Sequence, residues 1–112
     1  MEKVNENVLK YRHEDHGPKY FFRGERHEWG VICFRPGDRL GGHYHNQVEE
    51  TFYFPDSAPV MIVNGVEHRV TPGDVFKLAP GEKHDILNDT KTPIKIIFIK
   101  CPYLPDDKID AK

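Results

Sequence analysis

Short apolar runs, each closed by Pro, Gly or Asn, follow one another along most of the chain. Runs of four to eight residues rich in β-branched and aromatic side chains, with turn signals between them, predict β-strands. Many such strands in regular succession are typical of an all-β sandwich or barrel. The sequence predicts strands at 20–23, 29–35, 43–45, 50–54, 60–63, 66–70, 75–78, 84–87 and 94–100.

The turn residues between these runs support the same architecture. Asn64-Gly65 lies between two apolar runs and is a strong signal for a two-residue hairpin turn. Helix is nearly absent from the prediction, since only 6–13 could form a turn or two. The run 94–100 is the most apolar and is expected to be a buried strand. We therefore expect one domain over 1–112, with an N-terminal arm (1–17), a barrel (about 18–101) and a C-terminal tail (102–112) that lies against the barrel and frays.

Composition narrows the class of protein without changing the fold. Hydrophobic residues are 38% and charged residues 30% of the 112, and the formal net charge is −2. These values offer no basic surface for nucleic acid and no cationic face for a membrane. No apolar run approaches the roughly 20 residues that span a bilayer, and the charged start lacks the apolar middle of a secretory signal. The expected location is cytoplasmic.

The two cysteines fit a reduced compartment. Cys33 and Cys101 both lie among apolar residues, so each is expected to be a free, buried, small hydrophobic side chain. A disulfide between them or a thiolate metal ligand is the alternative.

Seven histidines are many for this length, and most are expected to be surface residues. For His68 the sequence favours neither an inward orientation nor one toward water. His43 and His45 differ, because side chains two apart on a strand leave the same face and can converge on one metal ion. The histidines that lie among charges near the N-terminus are His13, His16 and His27.

A carboxylate pair follows the two histidines. If Glu50 faces inward, Phe52 and Phe54 face inward as well, whereas an inward Glu49 would push both phenylalanines into water. The first arrangement buries more apolar area, so we favour Glu50. His84 restarts a strand after a Pro-Gly turn, and Greek-key connections can bring such a strand to the same place.

These residues resemble the two motifs of the cupin family over about 29–100. The first motif is matched by Gly37, His43, His45 and Glu50, and the second by Gly73, Gly81, His84 and Asn88. Two departures are Ser57, where the first motif ends in glycine, and Pro80, which stands one place late with Ala79 in its slot. The resemblance implies an all-β, single-domain cupin jelly-roll barrel (a double-stranded β-helix) and a homodimer. It also implies that His43, His45, Glu50 and His84 are the metal ligands and that the motif glycines and Asn88 are structural.

Three imidazoles and one carboxylate suit one divalent transition metal: Fe, Mn, Ni, Co or Zn. Four protein ligands would leave open positions, which is typical of a catalytic site. We expect an aromatic pocket built from Phe52, Phe54, Phe76, Ile96 and Phe98. Polar residues expected around the metal site are Arg35, Tyr53, His68 and Lys100.

No general acid or base is evident from the sequence, so catalytic residues stay unassigned. The first hypothesis is a metal-dependent enzyme on a small organic molecule, with dioxygenases, sugar-phosphate isomerases and decarboxylases as the reactions that the resemblance implies. The alternatives are a non-catalytic module that binds a small molecule or a metal, and an accessory dimer in which the metal only stiffens the barrel.

Overall fold

The computed structural model describes residues 1–111, which form ten β-strands and, within that range, no helix. Every strand predicted from the sequence is present to within a few residues, and the all-β prediction is confirmed. The strands are β1 (Gly17–Arg23), β2 (Glu28–Phe34), β3 (His43–His45), β4 (Glu49–Tyr53), β5 (Val60–Val63), β6 (Val66–Arg69), β7 (Val75–Leu78), β8 (His84–Leu87), β9 (Ile94–Cys101) and β10 (Lys108–Asp110).

The strands form two five-stranded antiparallel sheets. The first sheet has the order β1-β2-β9-β4-β7 and the second has the order β10-β3-β8-β5-β6. Neighbours in a sheet are often distant in sequence, as expected for a jelly roll. Apolar side chains from both sheets meet in one core, which includes Ile32, Phe34, Phe52, Phe54, Met61, Val70, Leu78, Ile86, Ile94, Ile96 and Phe98.

Strand parity decides which side chains enter this core. In β4, Glu50 and Phe52 are buried and Glu49 and Tyr53 are exposed, in agreement with the parity argument. The run 94–100 was expected to be a buried strand, and β9 is buried on one face only, because its residues alternate between core and solvent and Ile99 is 41% exposed. An outer strand face of the barrel has no second layer to cover it, so an apolar run in sequence need not be buried on both sides.

The β5–β6 hairpin follows directly from its two turn residues. Asn64 and Gly65 have φ values of 49° and 80°. Positive φ at both central positions defines a type I′ turn, whose twist matches that of the flanking strands.

The expectations about the N-terminal arm and the cysteines need correction, whereas the one about the position of the C-terminal tail agrees with the structure. The segment 6–13 forms turns and an isolated bridge instead of a helical turn or two. The tail beyond 101 lies against the barrel as expected, because it includes β10, which pairs with β3 at the edge of the second sheet. Both cysteines are free, but Cys101 is exposed and Cys33 is only partly buried. Within 1–111, no helix is long and apolar enough to cross a membrane.

Candidate metal centre

Strands from both sheets bring four potential ligands together. His43 and His45 come from β3, Glu50 from β4 and His84 from β8. One ligand-capable atom of each lies within 4.8 Å of the others, and each residue is 4% exposed or less. The four side chains that the sequence singled out therefore form one buried cluster.

The cluster is centred on a single carboxylate oxygen. Glu50 Oε1 lies 3.0 Å from His45 Nε2, 3.2 Å from His84 Nε2 and 3.9 Å from His43 Nε2. All three imidazoles thus present the same ring atom to one point. Nitrogen and carboxylate oxygen donors converging in this way are the donor set of a divalent transition metal.

Two of the rings are oriented by backbone carbonyl groups. His43 Nδ1 lies 2.8 Å from the Gly41 carbonyl oxygen, and His84 Nδ1 lies 3.0 Å from the Glu82 carbonyl oxygen. A carbonyl can only accept, so each Nδ1 carries the proton and donates it. Nε2 of each ring then faces Glu50, where it either carries a second proton and donates to the carboxylate or is unprotonated and can bind a metal ion. Both states place positive charge between the ring and the carboxylate, so the arrangement fits a cation.

Opposing influences act on the Glu50 carboxyl. Burial raises its pKa, but hydrogen bonds from the three histidines outweigh burial and hold the pKa well below its usual value. Glu50 is therefore ionised at neutral pH and supplies a negative charge to the centre. The four residues could accordingly hold a divalent metal.

Backbone contacts fix the strand that carries two of the histidines. Gly81 has φ of 87°, and its N–H donates to the His45 carbonyl oxygen at 2.7 Å, which ties the turn before His84 to β3. The Asp107 carboxylate accepts from the Gln47 and Val48 N–H groups at 2.8 and 2.9 Å. Asp107 was missed by sequence reasoning, because one aspartate in a charged tail carries no periodic or motif signal.

The two sides of the cluster differ in character. On one side lies closed core, including the Phe52 ring, whose centroid is 5.6 Å from that of His84. On the other side a cavity of about 520 Å³ opens, lined by side chains that include His43, His45 and Glu50. A ligand could reach the cluster from this cavity.

The expected aromatic pocket is wrong in composition. Of its five proposed members, Phe98 lines the cavity, whereas Phe52, Phe54 and Ile96 lie in the core and Phe76 packs against the core. The cavity wall instead combines apolar and aromatic side chains with charged ones. Its charged members include Arg12, Arg23, Glu28, Asp38, Arg39, Lys100 and Lys108.

One of the four expected polar neighbours of the metal site lies at the cavity. Lys100 lines it and is paired across the sheet with Glu50. Arg35 is exposed and forms an ion pair with Asp38 at 3.1 Å. The other two do not line the cavity: Tyr53 is on the outer face of β4, and His68 is exposed on β6. Arg23 and Glu28, which the sequence did not single out, join Lys100 in the cavity wall.

Fold and site together define a small jelly-roll barrel with a candidate centre of three histidines and one glutamate. The family model for the cupin domain matches residues 30–100, more than half of the chain, so the protein belongs to the cupin family.

Similar proteins extend this finding. The tetracenomycin polyketide synthase protein TcmJ of Streptomyces glaucescens is 29% identical over 76 residues, which cover 68% of this chain and 51% of that protein. The chain thus spans about half the length of the curated relatives it matches.

Solved structures show the same fold at low identity. An uncharacterized conserved protein with a double-stranded β-helix domain from Klebsiella pneumoniae has a TM-score of 0.83 and 16% identity, with 100% of this chain and 98% of that chain covered. A sugar phosphate isomerase of the cupin superfamily from Silicibacter pomeroyi has a TM-score of 0.74 and 20% identity, with 98% and 88% covered.

Proposed function

We propose that His43, His45, Glu50 and His84 bind one divalent transition metal and that the protein is an enzyme acting on a small organic molecule. The convergence of four buried donors within 4.8 Å, beside an open cavity, carries this proposal. Fe, Mn, Ni, Co and Zn all suit the donor set. A metal held there supplies Lewis acidity, which polarises a carbonyl group or acidifies water.

Residues around the cluster orient its imidazoles and determine the side from which a substrate can approach. The carbonyl groups of Gly41 and Glu82 hold two imidazoles with Nε2 toward the centre. Core side chains exclude water from the rear, so substrate would approach from the cavity alone. The relevant chemistry is therefore confined to one face of the cluster.

Two reaction classes fit this proposal, an oxidation of the dioxygenase type and an isomerisation of the sugar-phosphate type. The charged cavity wall supports the second more than the first, because polar, charged substrates match it better than apolar ones. The Silicibacter structure is described as a sugar phosphate isomerase, which agrees with this preference without deciding it.

A non-catalytic binding module is the second candidate. The cavity carboxylates other than Glu50 are both engaged: Glu28 pairs with Arg23 at 2.7 Å, and Asp38 pairs with Arg35. A carboxylate held in an ion pair is a poor general base. This observation favours binding without turnover.

Metal titration and a turnover screen separate these candidates. Chelator-treated protein is titrated with each of the five metals, and His84→Ala is compared with His68→Ala, which removes an exposed histidine on β6. We expect one metal per chain in the wild type and in His68→Ala, and a loss of affinity of more than about 100-fold in His84→Ala, beyond what outer residues cause. Equal affinity in both variants would overturn the metal site.

The turnover screen uses sugar phosphates, small organic acids and phenols. Product formation that a chelator abolishes and one metal restores supports an enzyme. Thermal stabilisation by a compound that is recovered unchanged supports the binding module.

A homodimer is also proposed. Tyr53, Val75 and Ile99 expose apolar surface on the outer face of the first sheet, at 38%, 60% and 41% exposure. Such a patch suits a second copy of the same sheet. Light scattering tests the proposal, and a monomer at all concentrations contradicts it.

A further inference from the structure

A row of alternating charges crosses the first sheet and ends at the metal centre. Arg23 in β1 pairs with Glu28 in β2, Glu28 pairs with Lys100 in β9, and Lys100 pairs with Glu50 in β4. Directly opposed residues on neighbouring strands leave the same face of a sheet, and all four side chains line the cavity. With strands about 4.8 Å apart, the row spans about 15 Å from the sheet edge to Glu50.

Of the two cations beside Glu28, Lys100 makes the longer contact. Arg23 Nε donates to Glu28 Oε2 at 2.7 Å, whereas Lys100 Nζ lies 3.5 Å from Glu28 Oε1. Among the residues described, Glu28 is the one carboxylate within 4.0 Å of Lys100, and its other oxygen binds Arg23. An ammonium group has three N–H donors, so Lys100 has donors to offer to a ligand.

The surroundings of Lys100 direct those donors into the cavity. Its side chain is 24% exposed, and its Nζ lies 5.6 Å from the centroid of the Phe98 ring, which also lines the cavity. Partial burial weakens solvent competition, so a charge-assisted hydrogen bond there is stronger than one at the surface.

A second cation strengthens the positive field at the entrance. Arg12 on the N-terminal arm lines the cavity and donates from Nη2 to the Tyr20 hydroxyl at 2.9 Å. No carboxylate in the described part of the chain lies within 4.0 Å of its guanidinium group. A cleft lined by excess positive charge concentrates anions near its entrance.

We propose that the cavity binds a small organic anion whose carboxylate or phosphate group accepts hydrogen bonds from Lys100 Nζ, while the rest of the molecule lies against the metal ligands. A volume of about 520 Å³ is within the usual range for small-molecule sites. The inference rests on the proposed function for the role of the metal, but the contact with Lys100 does not need the metal.

Calorimetric titration of three probes tests the proposal. Malonate and inorganic phosphate represent the two anionic groups, and malonamide is the neutral counterpart of malonate. Each is titrated into chelator-treated and zinc-loaded protein at one fixed ionic strength. We expect at least one anion to bind about 10-fold or more tightly than malonamide, and malonate against phosphate identifies the preferred group. Binding of malonamide as tight as that of both anions overturns the proposal.

Paired lysine variants assign the binding to one side chain. Lys100→Met is compared with Lys77→Met, which removes the same charge from an exposed lysine 4.0 Å from Glu49 on the same sheet. We expect Lys100→Met to weaken anion binding about 10-fold or more and Lys77→Met to leave it within about twofold. Equal losses in the two variants would indicate a general effect of net charge and overturn the proposal.

A second variant is expected to strengthen anion binding, so the proposal stays testable if Lys100→Met does not fold. Glu28→Gln removes the competing carboxylate with little change of shape, so anion binding should become tighter. Unchanged or weaker binding in Glu28→Gln counts against the proposal.

Zinc affinity in the same proteins separates this inference from the proposed function. Lys100→Met should bind zinc at least as tightly as the wild type, because it removes a cation beside a cation site. If zinc does not bind but malonate still depends on Lys100, the metal proposal fails and the anion site stands. If zinc binds and malonate does not depend on Lys100, the anion site fails alone.

Discussion

The two sheets contribute to the metal centre in very different ways. Glu50 comes from the first sheet, where β4 is flanked on both sides and pairs with β9 at five positions and with β7 at four. The histidines come from the second sheet, where β3 has three residues and meets β8 at one register pair, His43 with His84. Glu50 is therefore held by long ladders on both sides of its strand, whereas His43 and His45 lie on a strand of three residues.

Added contacts compensate for the short histidine strand. β10 pairs with β3 at three positions, including Lys108 opposite His45 and Asp110 opposite His43. Asp107, just before β10, holds the turn between His45 and Glu50 through two backbone N–H groups. The comparison shows that the C-terminal segment is part of the support of the centre, although it contributes no candidate ligand.

Removing the Asp107 carboxylate should give the largest effect on this support. In Asp107→Ala the N–H groups of Gln47 and Val48 lose their acceptor, and Val48 is 2% exposed. An orphaned buried donor costs about 2 kcal/mol of unfolding free energy. Because the same turn positions His45, metal affinity should fall about 10-fold, as for other residues that orient ligands. Urea unfolding and metal titration measure the two effects.

The adjacent aspartate provides the control. Asp106 is exposed, so Asp106→Ala changes the net charge equally and should leave both quantities near their wild-type values. If Asp107→Ala lowers stability but leaves metal affinity unchanged, the histidine strand does not depend on the C-terminal segment and the contrast between the sheets is lost.

Acid should weaken the same contact without a mutation. Burial raises the pKa of Asp107, but the hydrogen bonds from the Gln47 and Val48 N–H groups outweigh burial and lower it below the usual value of 3.8. A lowered folded-state pKa stabilises the fold above about pH 4, and this contribution is lost as the pH falls from there through the folded-state pKa.

The comparison protein for this pH effect is Asp107→Asn. The difference in unfolding free energy between wild type and Asp107→Asn, both chelator-treated, should be constant from about pH 7 to pH 5 and shrink below about pH 4. A difference that stays constant at low pH would show that the ionised carboxylate is not what holds the turn.

Most of the barrel was predictable because its local and tertiary signals agree. Asn64-Gly65 requires positive φ at two successive positions, and the spacing of His43, His45 and Glu50 places all three on inner strand faces. Strand parity and the register of the first motif both selected Glu50 over Glu49. These features depend on local conformation, which the sequence encodes directly.

The remaining features depend on tertiary pairing. β10 contains a single apolar residue, Ile109, so it lacks the alternation of apolar and polar residues that predicts a strand. It is a strand because it pairs with β3. The charged cavity wall was missed for a similar reason. Arg23, Glu28 and Lys100 adjoin one another through the register of three strands, and the sequence of each strand shows none of that register.

The smallest effect is expected where the chain crosses from one sheet to the other. Ser57 lies between β4 and β5, and its Oγ is buried without a hydrogen-bond partner among the described residues. Ser57→Ala removes the orphan hydroxyl and should raise the unfolding free energy by up to about 1 kcal/mol. Thr90 is the contrasting hydroxyl, since its Oγ donates to Asn88 Oδ1 at 2.6 Å, so Thr90→Val should lower stability. Neither change should alter metal affinity.

Loss of stability in Ser57→Ala would show that the Ser57 hydroxyl is hydrogen-bonded. A change in metal affinity would show that the segment between β4 and β5 also supports the metal centre.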